Sequence, residues 1–258
     1  MTGGLLETAA PLLAQVEIRD RSDTNCVQEN GTFCLGWAID NFDRYVDPTL
    51  EHILLVIVSV VLGFLLAMGL AVLSHRRRWL IPTFTGLTGV IYTIPSISLF
   101  LLLLPFTGRG NDTAVIALTL YTLQIIYRNI VTGLDNVPPA ARDAGRGMGM
   151  TPNQLLRRVE LPLATPEIVA GLRVATVSTV AIATLAVFAG GGGLGAEMYR
   201  SLDFKTGLLI TTGLTIVMAV AFDLCLALLQ RILAPWQARA PRTRRARLAA
   251  LTRRPADA

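Results

Sequence analysis

At 258 residues, with 52% hydrophobic side chains and a mean hydropathy of +0.54, the chain is too apolar for an ordinary water-soluble domain. Its net charge of +5 comes from arginines gathered at a few places; the densest cluster, in the tail, could suggest nucleic acid, but beside an apolar stretch attraction to anionic lipid is the reading taken. The two histidines, His52 and His75, sit at opposite ends of one apolar run, and no Lys-Ser/Thr phosphate loop occurs, so no metal centre and no ATPase activity of the chain's own is expected.

Residues 1–49 form an acidic segment, with eight Asp/Glu against three Arg. Met1–Val16 has neither a basic start nor a sustained apolar core, so no cleaved secretory signal is expected. Cys26 and Cys34 flank an Asn30-Gly31 turn pair. On the outside of a cell a disulfide between them is permitted, and two free thiols is the other reading. Trp37–Tyr45 reads as a short amphipathic helix on the outer surface, with Trp37, Phe42 and Tyr45 at the interface.

Five apolar stretches follow, at about 52–73, 80–105, 113–134, 168–190 and 206–233. Ile53–Ser74 carries no charge over 22 residues, Trp79–Thr107 none over 29 and Val174–Ala196 none over 23. A helix crossing the hydrocarbon needs about 20 mostly apolar residues, because it alone pairs its own backbone groups there. The expected fold is an all-α membrane protein with five transmembrane helices spanning residues 50–234. Fifteen of the 23 basic residues lie in Ser74–Arg78, in the 135–167 loop and from Arg231 onward. Positive residues gather in the cytoplasm, which places the amino terminus outside and the carboxyl terminus inside. The arginine-rich tail, 235–258, then meets anionic lipid.

The second stretch contains Pro82, Pro95 and Pro105. Proline opens helices, and open backbone in a membrane sits against protein or a water-filled path, so Tyr92, Thr93, Pro95 and Ser96 are candidates for a translocation path. Gly89–Phe100, G-V-I-Y-T-I-P-S-I-S-L-F, resembles the G-x(2)-Q-T-I-P-S-x-A-L segment of osmoprotectant permeases, with Tyr92 in place of Gln.

Arg128 in the third stretch and Asp223 in the fifth are intramembrane charges, which usually mark a partner or a path. Three arrangements are open: pairing with each other, pairing of Asp223 with Arg173, or independent snorkelling to the headgroups. Cys225 is expected to be an inert packing residue.

Between the third and fourth stretches lies a polar loop, 135–167, too long for a mere connection. Pro138-Pro139 opens one short helix that Gly147 and Gly149 end, and Thr151-Pro152 starts a second. Pro162 and Pro166 are expected to end that second helix before the next span. Asp143–Pro162, D-A-G-R-G-M-G-M-T-P-N-Q-L-L-R-R-V-E-L-P, resembles the E-A-A-x(3)-G-x(9)-I-x-L-P signature of permease subunits in bacterial ABC importers. Asp143, Ala144, Gly145, Gly149, Val159, Leu161 and Pro162 fall on its register, departing as Asp for Glu, Gly for Ala and Val for Ile. The resemblance implies a MetI-like type I ABC importer permease fold, with these residues coupling the chain to an ATPase. Arg142, Arg146, Arg157 and Arg158 could pair with acidic groups on that partner.

The glycine run Gly190–Gly195 resembles the G-A-G-G-L-G element of osmoprotectant and methionine-type permeases. Gly192, Gly193 and Gly195 are candidates for an external gate or docking face, with Glu197, Tyr199 and Arg200 beside them.

The resemblance further implies two cytoplasmic ATPase subunits, a second permease chain, an extracytoplasmic substrate-binding protein and a place in the bacterial plasma membrane. ATP and Mg would sit on the ATPase, leaving this chain without a cofactor. Glycine betaine, choline, carnitine or proline is the implied cargo, with another small solute such as methionine as the alternative. A passive channel would have no use for the loop.

Overall fold

The computed structural model describes residues 26, 30 and 33–236, and all of the secondary structure there is helical. The predicted arginine-rich tail beyond 236 and most of the acidic front lie outside the described residues. In chain order come α1 (Leu35–Asp40), a 3₁₀ turn (Phe42–Tyr45), α2 (Val46–Arg76), α3 (Leu80–Thr93), α4 (Ser96–Thr107) and α5 (Asn111–Asp135). Then follow α6 (Pro139–Gly147), α7 (Pro152–Leu155), a π turn (Leu156–Glu160), α8 (Leu161–Ala183), a 3₁₀ turn (Thr184–Ala189), α9 (Leu194–Arg200) and α10 (Lys205–Leu233).

Helix α5 is the hub, lying between α2 and α8 with most of its length buried. Small side chains let α2 approach it. Ser59, Gly63, Ala67 and Ala71 recur every four residues and are buried, forming the close-packing stripe typical of membrane helices. A Cβ on Gly63 would fall 1.9 Å from Thr122 Oγ1. On the other side, a Cβ on Gly171 of α8 would fall 2.3 Å from Asn129 Cβ. Two apolar clusters result, one around Val56, Phe100, Leu118 and Val180, the other around Ala67, Ile126, Ile130 and Ala175.

Four helical stretches are long and apolar enough to cross a membrane: Phe42–Arg76, Asn111–Asp135, Pro152–Ala189 and Lys205–Leu233. Helices α3 and α4 together would make a fifth, but they meet at 97°. The break has a local cause. A residue before proline is pushed out of the helical region, and Ile94 is extended, with ψ 128°. The extended backbone turns the Ile94 carbonyl out of the helical ladder, and it accepts a hydrogen bond from the Tyr121 hydroxyl.

The first and last segments depart from expectation in detail. The stripe exposed along α1 and the start of α2 is Leu35, Ile39, Phe42 and Val46. Trp37 and Tyr45 turn inward: Trp37 packs edge-on against Phe204 at 4.7 Å, and Tyr45 is 1% exposed. Arg44 stands over both rings and so holds them in a cation–π sandwich. Cys225 is exposed rather than packed, because α10 lies chiefly against α8 and leaves most of its circumference uncovered.

Pro162 and Pro166 do not end a helix. The stretch from Pro152 to Ala189 is continuous. The π turn at Leu156–Glu160 widens the backbone just ahead of Pro162, with the Leu161 N–H donating to the Leu156 carbonyl, and a local π adjustment of this kind lets a helix run on through proline.

Candidate functional site

The elbow formed by α6 and α7 is built as its sequence dictates. Pro138 and Pro139 start α6, and the turn after Gly147 is completed by Gly149 at φ +78°, a left-handed position that suits glycine. Thr151 then caps α7 in a reciprocal capping box. Gln154 N donates to Thr151 Oγ1 at 3.4 Å and Thr151 N donates to Gln154 Oε1 at 2.9 Å.

Gly145 is where the two helices touch. A Cβ there would fall 2.6 Å from Leu155 Cδ1, so the room that glycine leaves is filled from within the elbow. Asp143, Ala144, Gly149 and Pro162 are exposed, and Val159 and Leu161 are half-buried. Asp143 lies 3.7 Å from Arg146, both open to solvent, a geometry of small energetic weight.

The residue that ties the elbow to the spans is Glu160, which the sequence reading did not single out. It is 3% exposed. Its Oε1 accepts from Arg142 Nε at 2.8 Å, and its Oε2 lies 2.8 Å from His75 Nε2 at the end of α2. Arg142 also donates from Nη2 to the Leu134 carbonyl at 2.5 Å, adding a side-chain donor to an acceptor at the end of α5 that Val137 N already reaches at 3.4 Å. Arg142 therefore faces inward, contrary to the expectation that it waits for a partner; a buried carboxylate needs a cation more than solvent does. Arg76 adds an outer tie, donating to Asn153 Oδ1 at 2.8 Å. A cleft of about 660 Å³ opens between α2 and the elbow, lined by Arg76, Arg78, Arg142 and Arg146 with Asp143 and Glu160.

At the opposite end of the bundle the glycine run is a tight turn. Gly192 N donates to Asn111 Oδ1 at 2.9 Å, and Gly193 N donates to Glu51 Oε2 at 2.8 Å. Asn111 Nδ2 donates to Glu51 Oε1 at 2.7 Å, which closes the ring of contacts. A Cβ on Gly192 would lie 2.1 Å from the Glu51 carboxylate, and one on Gly195 2.1 Å from the Thr184 carbonyl. Glu51 is thus the anion these glycines cradle. Glu197, expected beside a docking face, is 3% exposed and holds Arg44 at 2.5 Å and Arg200 at 2.9 Å.

Cys26 and Cys34 form a disulfide with their Cα atoms 5.9 Å apart. Asn30 and Cys34 meet the α9–α10 turn. Asn30 Nδ2 donates to Asp203 O at 2.6 Å, Lys205 N donates to Asn30 Oδ1 at 2.9 Å, and Cys34 N donates to Thr206 Oγ1 at 3.0 Å.

Tyr92, Thr93 and Pro95 are exposed at the α3–α4 break and Ser96 is half-buried beside them. Tyr92 packs edge-on against Tyr121 at 5.8 Å. Asp223 pairs with Arg173, not with Arg128, which is exposed and has no ion pair among the described residues. Among those residues no three His, Cys, Asp or Glu side chains gather as a metal site.

Residues 59–239 match the family described as "binding-protein-dependent transport system inner membrane component". The chain belongs to that family. It is similar to the choline transport system permease protein OpuBB of Bacillus subtilis (strain 168), 38% identical over 72% of this chain and 87% of that one. It is also similar to the osmoprotectant import permease protein OsmW of Salmonella typhimurium, 36% identical over 77% and 96%. Among solved structures, a chain of the MetNI methionine ABC transporter in an inward-facing conformation matches with a TM-score of 0.68 at 24% identity. That match covers 73% of this chain and 95% of the other and shows the fold. As a permease of the binding-protein-dependent family, the chain is a multi-pass inner-membrane transport subunit of an ABC importer. ATP hydrolysis belongs to separate subunits, and substrate arrives on a binding protein.

Proposed function

We propose that this permease imports compatible solutes of the quaternary ammonium class, glycine betaine, choline or carnitine, or proline, and that its elbow couples import to ATPase closure. The observation that carries the reading is the elbow itself: exposed Asp143, Ala144 and Gly149 on a two-helix knob whose base is locked to α2, α5 and α8 through Glu160. The relatives at 33–38% identity, named for choline, glycine betaine and carnitine, support the cargo.

The amino-terminal segment lies outside and the elbow and tail inside, as the arginine distribution favours. Two ATPase subunits, holding ATP and Mg, grip the elbows of two permease chains, and a binding protein docks over the glycine turn. ATP-driven approach of the ATPases moves the elbows, and the paired spans pass from inward-facing to outward-facing. The α3–α4 break, with Tyr92, Thr93, Pro95 and Ser96, lines the path; Tyr92 offers an aromatic face to a quaternary ammonium.

Uptake of labelled glycine betaine, choline, carnitine and methionine into proteoliposomes holding the complete importer tests this. ATP-dependent uptake of a quaternary ammonium solute is expected. Uptake of methionine alone, or uptake that persists with a hydrolysis-dead ATPase, refutes it. Cysteines placed at Ala144 and Gly149 should also cross-link to the ATPase.

A further inference from the structure

The Arg173–Asp223 pair bridges α8 and α10 inside the apolar stretches of both helices. Arg173 Nε and Nη2 donate to the two Asp223 oxygens, each at 2.8 Å, and Nη1 donates to Gln230 Oε1 at 3.3 Å. Gln230 is anchored in turn, donating to the Pro166 carbonyl at 3.2 Å. Asp223 precedes the end of α10 by ten residues, about 15 Å along the axis. The pair is not enclosed: the side chains are 32% and 37% exposed. They open into a groove of about 650 Å³ walled by Ala170, Val174, Val177, Ala219 and Val220, with Ser178 as its other polar side chain.

An ion pair placed only to staple two helices would be covered by them, and one facing lipid would carry a large penalty. This one turns a fixed fork toward an open space whose far wall the described residues do not supply. Three of the five guanidinium N–H groups are used, leaving two, and each Asp223 oxygen keeps acceptor capacity. A carboxylate would meet the free edge of Arg173, the geometry in which arginine outperforms lysine. A cationic nitrogen a few bonds away would meet Asp223, and its methyl groups the valine and alanine walls.

We propose that Arg173 and Asp223 form a station for zwitterionic solutes on the path, completed by the facing wall of the second permease chain. The inference rests on the function given above and narrows it: cargo bearing both a carboxylate and a cationic nitrogen is favoured over cargo bearing the cation alone.

The test uses the complete importer in proteoliposomes and compares uptake of glycine betaine, a zwitterion, with that of choline, a cation without a carboxylate. Arg173→Gln is expected to lower the betaine-to-choline uptake ratio by about tenfold, one lost carboxylate interaction. Arg173→Lys, which keeps the charge and protects against simple misassembly, should shift the ratio in the same direction by about threefold. The exchange Arg173→Asp with Asp223→Arg keeps an ion pair between the helices but presents the wrong charge at each end, so betaine uptake should stay low. Equal losses for both solutes, restored by the exchange, would mean a helix staple and overturn the station. So would a wild-type importer that carries choline alone. If the wild type carries betaine alone, the exchange decides, recovery overturning the proposal. An importer that moves neither solute refutes the function itself rather than this site.

Discussion

Replacing Glu160 is the sharpest test of how the elbow is held. Glu160→Gln keeps the volume and removes the charge, leaving Arg142 and His75 facing a neutral amide at 2.8 Å. Breaking a fully buried pair costs about 3–5 kcal/mol. Arg142 is 16% and His75 23% exposed, so partial solvation of the groups left without the carboxylate reduces this to about 2–3 kcal/mol. Arg142 keeps its bond to the Leu134 carbonyl, which softens the loss further.

The loss should be local in its effect. The carboxylate joins α6, the end of α2 and the start of α8, while the core around Val56 and Val180 has no part in it. The elbow should therefore loosen before the bundle does. In the assembled importer the expected result is a fall of several-fold in solute moved per ATP hydrolysed, with receptor-stimulated hydrolysis falling less. Hydrogen exchange should quicken over residues 139–160 and stay slow over α5. A variant with unchanged transport stoichiometry and unchanged exchange at the elbow would refute the argument, as would exchange that rises equally throughout.

Gly149→Ala puts a side chain at φ +78° and should cost about 1–2 kcal/mol, read as lower elbow stability by hydrogen exchange. Gly63→Ala sets a methyl 1.9 Å from Thr122 Oγ1 and should lower thermal stability by about 1–3 kcal/mol; adding Thr122→Ala should recover part of it, and no recovery would put the close contact in doubt. Cys34→Ser opens a loop with a sequence separation of eight, removing about 2–3 kcal/mol of constraint from that segment. Limited proteolysis should then cut near residues 26–45 while the elbow is unaffected.

Much of this was legible from patterns that act locally. Charge-free runs marked the helices, and Pro139, Gly149 and Thr151 marked the elbow because each acts on its own backbone. Pro95 announced a break, but nothing local sets its angle; the Tyr121 hydroxyl, 27 residues away from Ile94 in sequence, takes up the freed carbonyl. The contacts that failed to show are long-range and polar. Glu51, Asn111 and Gly193 are spread over 142 residues, and a carboxylate at the start of an apolar helix looks like any surface charge until a glycine turn closes on it. Glu160 left one faint signal, a lone acid among Val159, Leu161 and Leu163. That placement made it buried, and burial then drew Arg142 away from the surface. Trp37 and Tyr45 were misplaced for a similar reason: an amphipathic pattern identifies two faces, and Arg44 determined which one turned inward.

The unbroken run from Pro152 to Ala189 gives these separate sites one mechanical frame. It holds 38 residues, about 57 Å of helix, and its two prolines do not divide it. At one end Glu160 locks it to the elbow. Arg173 lies 13 residues further on, about 20 Å along the axis, where it meets α10 through Asp223. At the far end the chain passes into the glycine turn that Glu51 and Asn111 fasten to α2 and α5. A displacement of the elbow meets no break in the helix before it reaches the charged groove. It must instead tilt α8 against the close-packed Gly171–Asn129 contact or shift the whole helix with α10. Either motion moves Arg173 relative to the rest of the bundle, so the same rod that would receive the push in the proposed cycle also carries the charged groove.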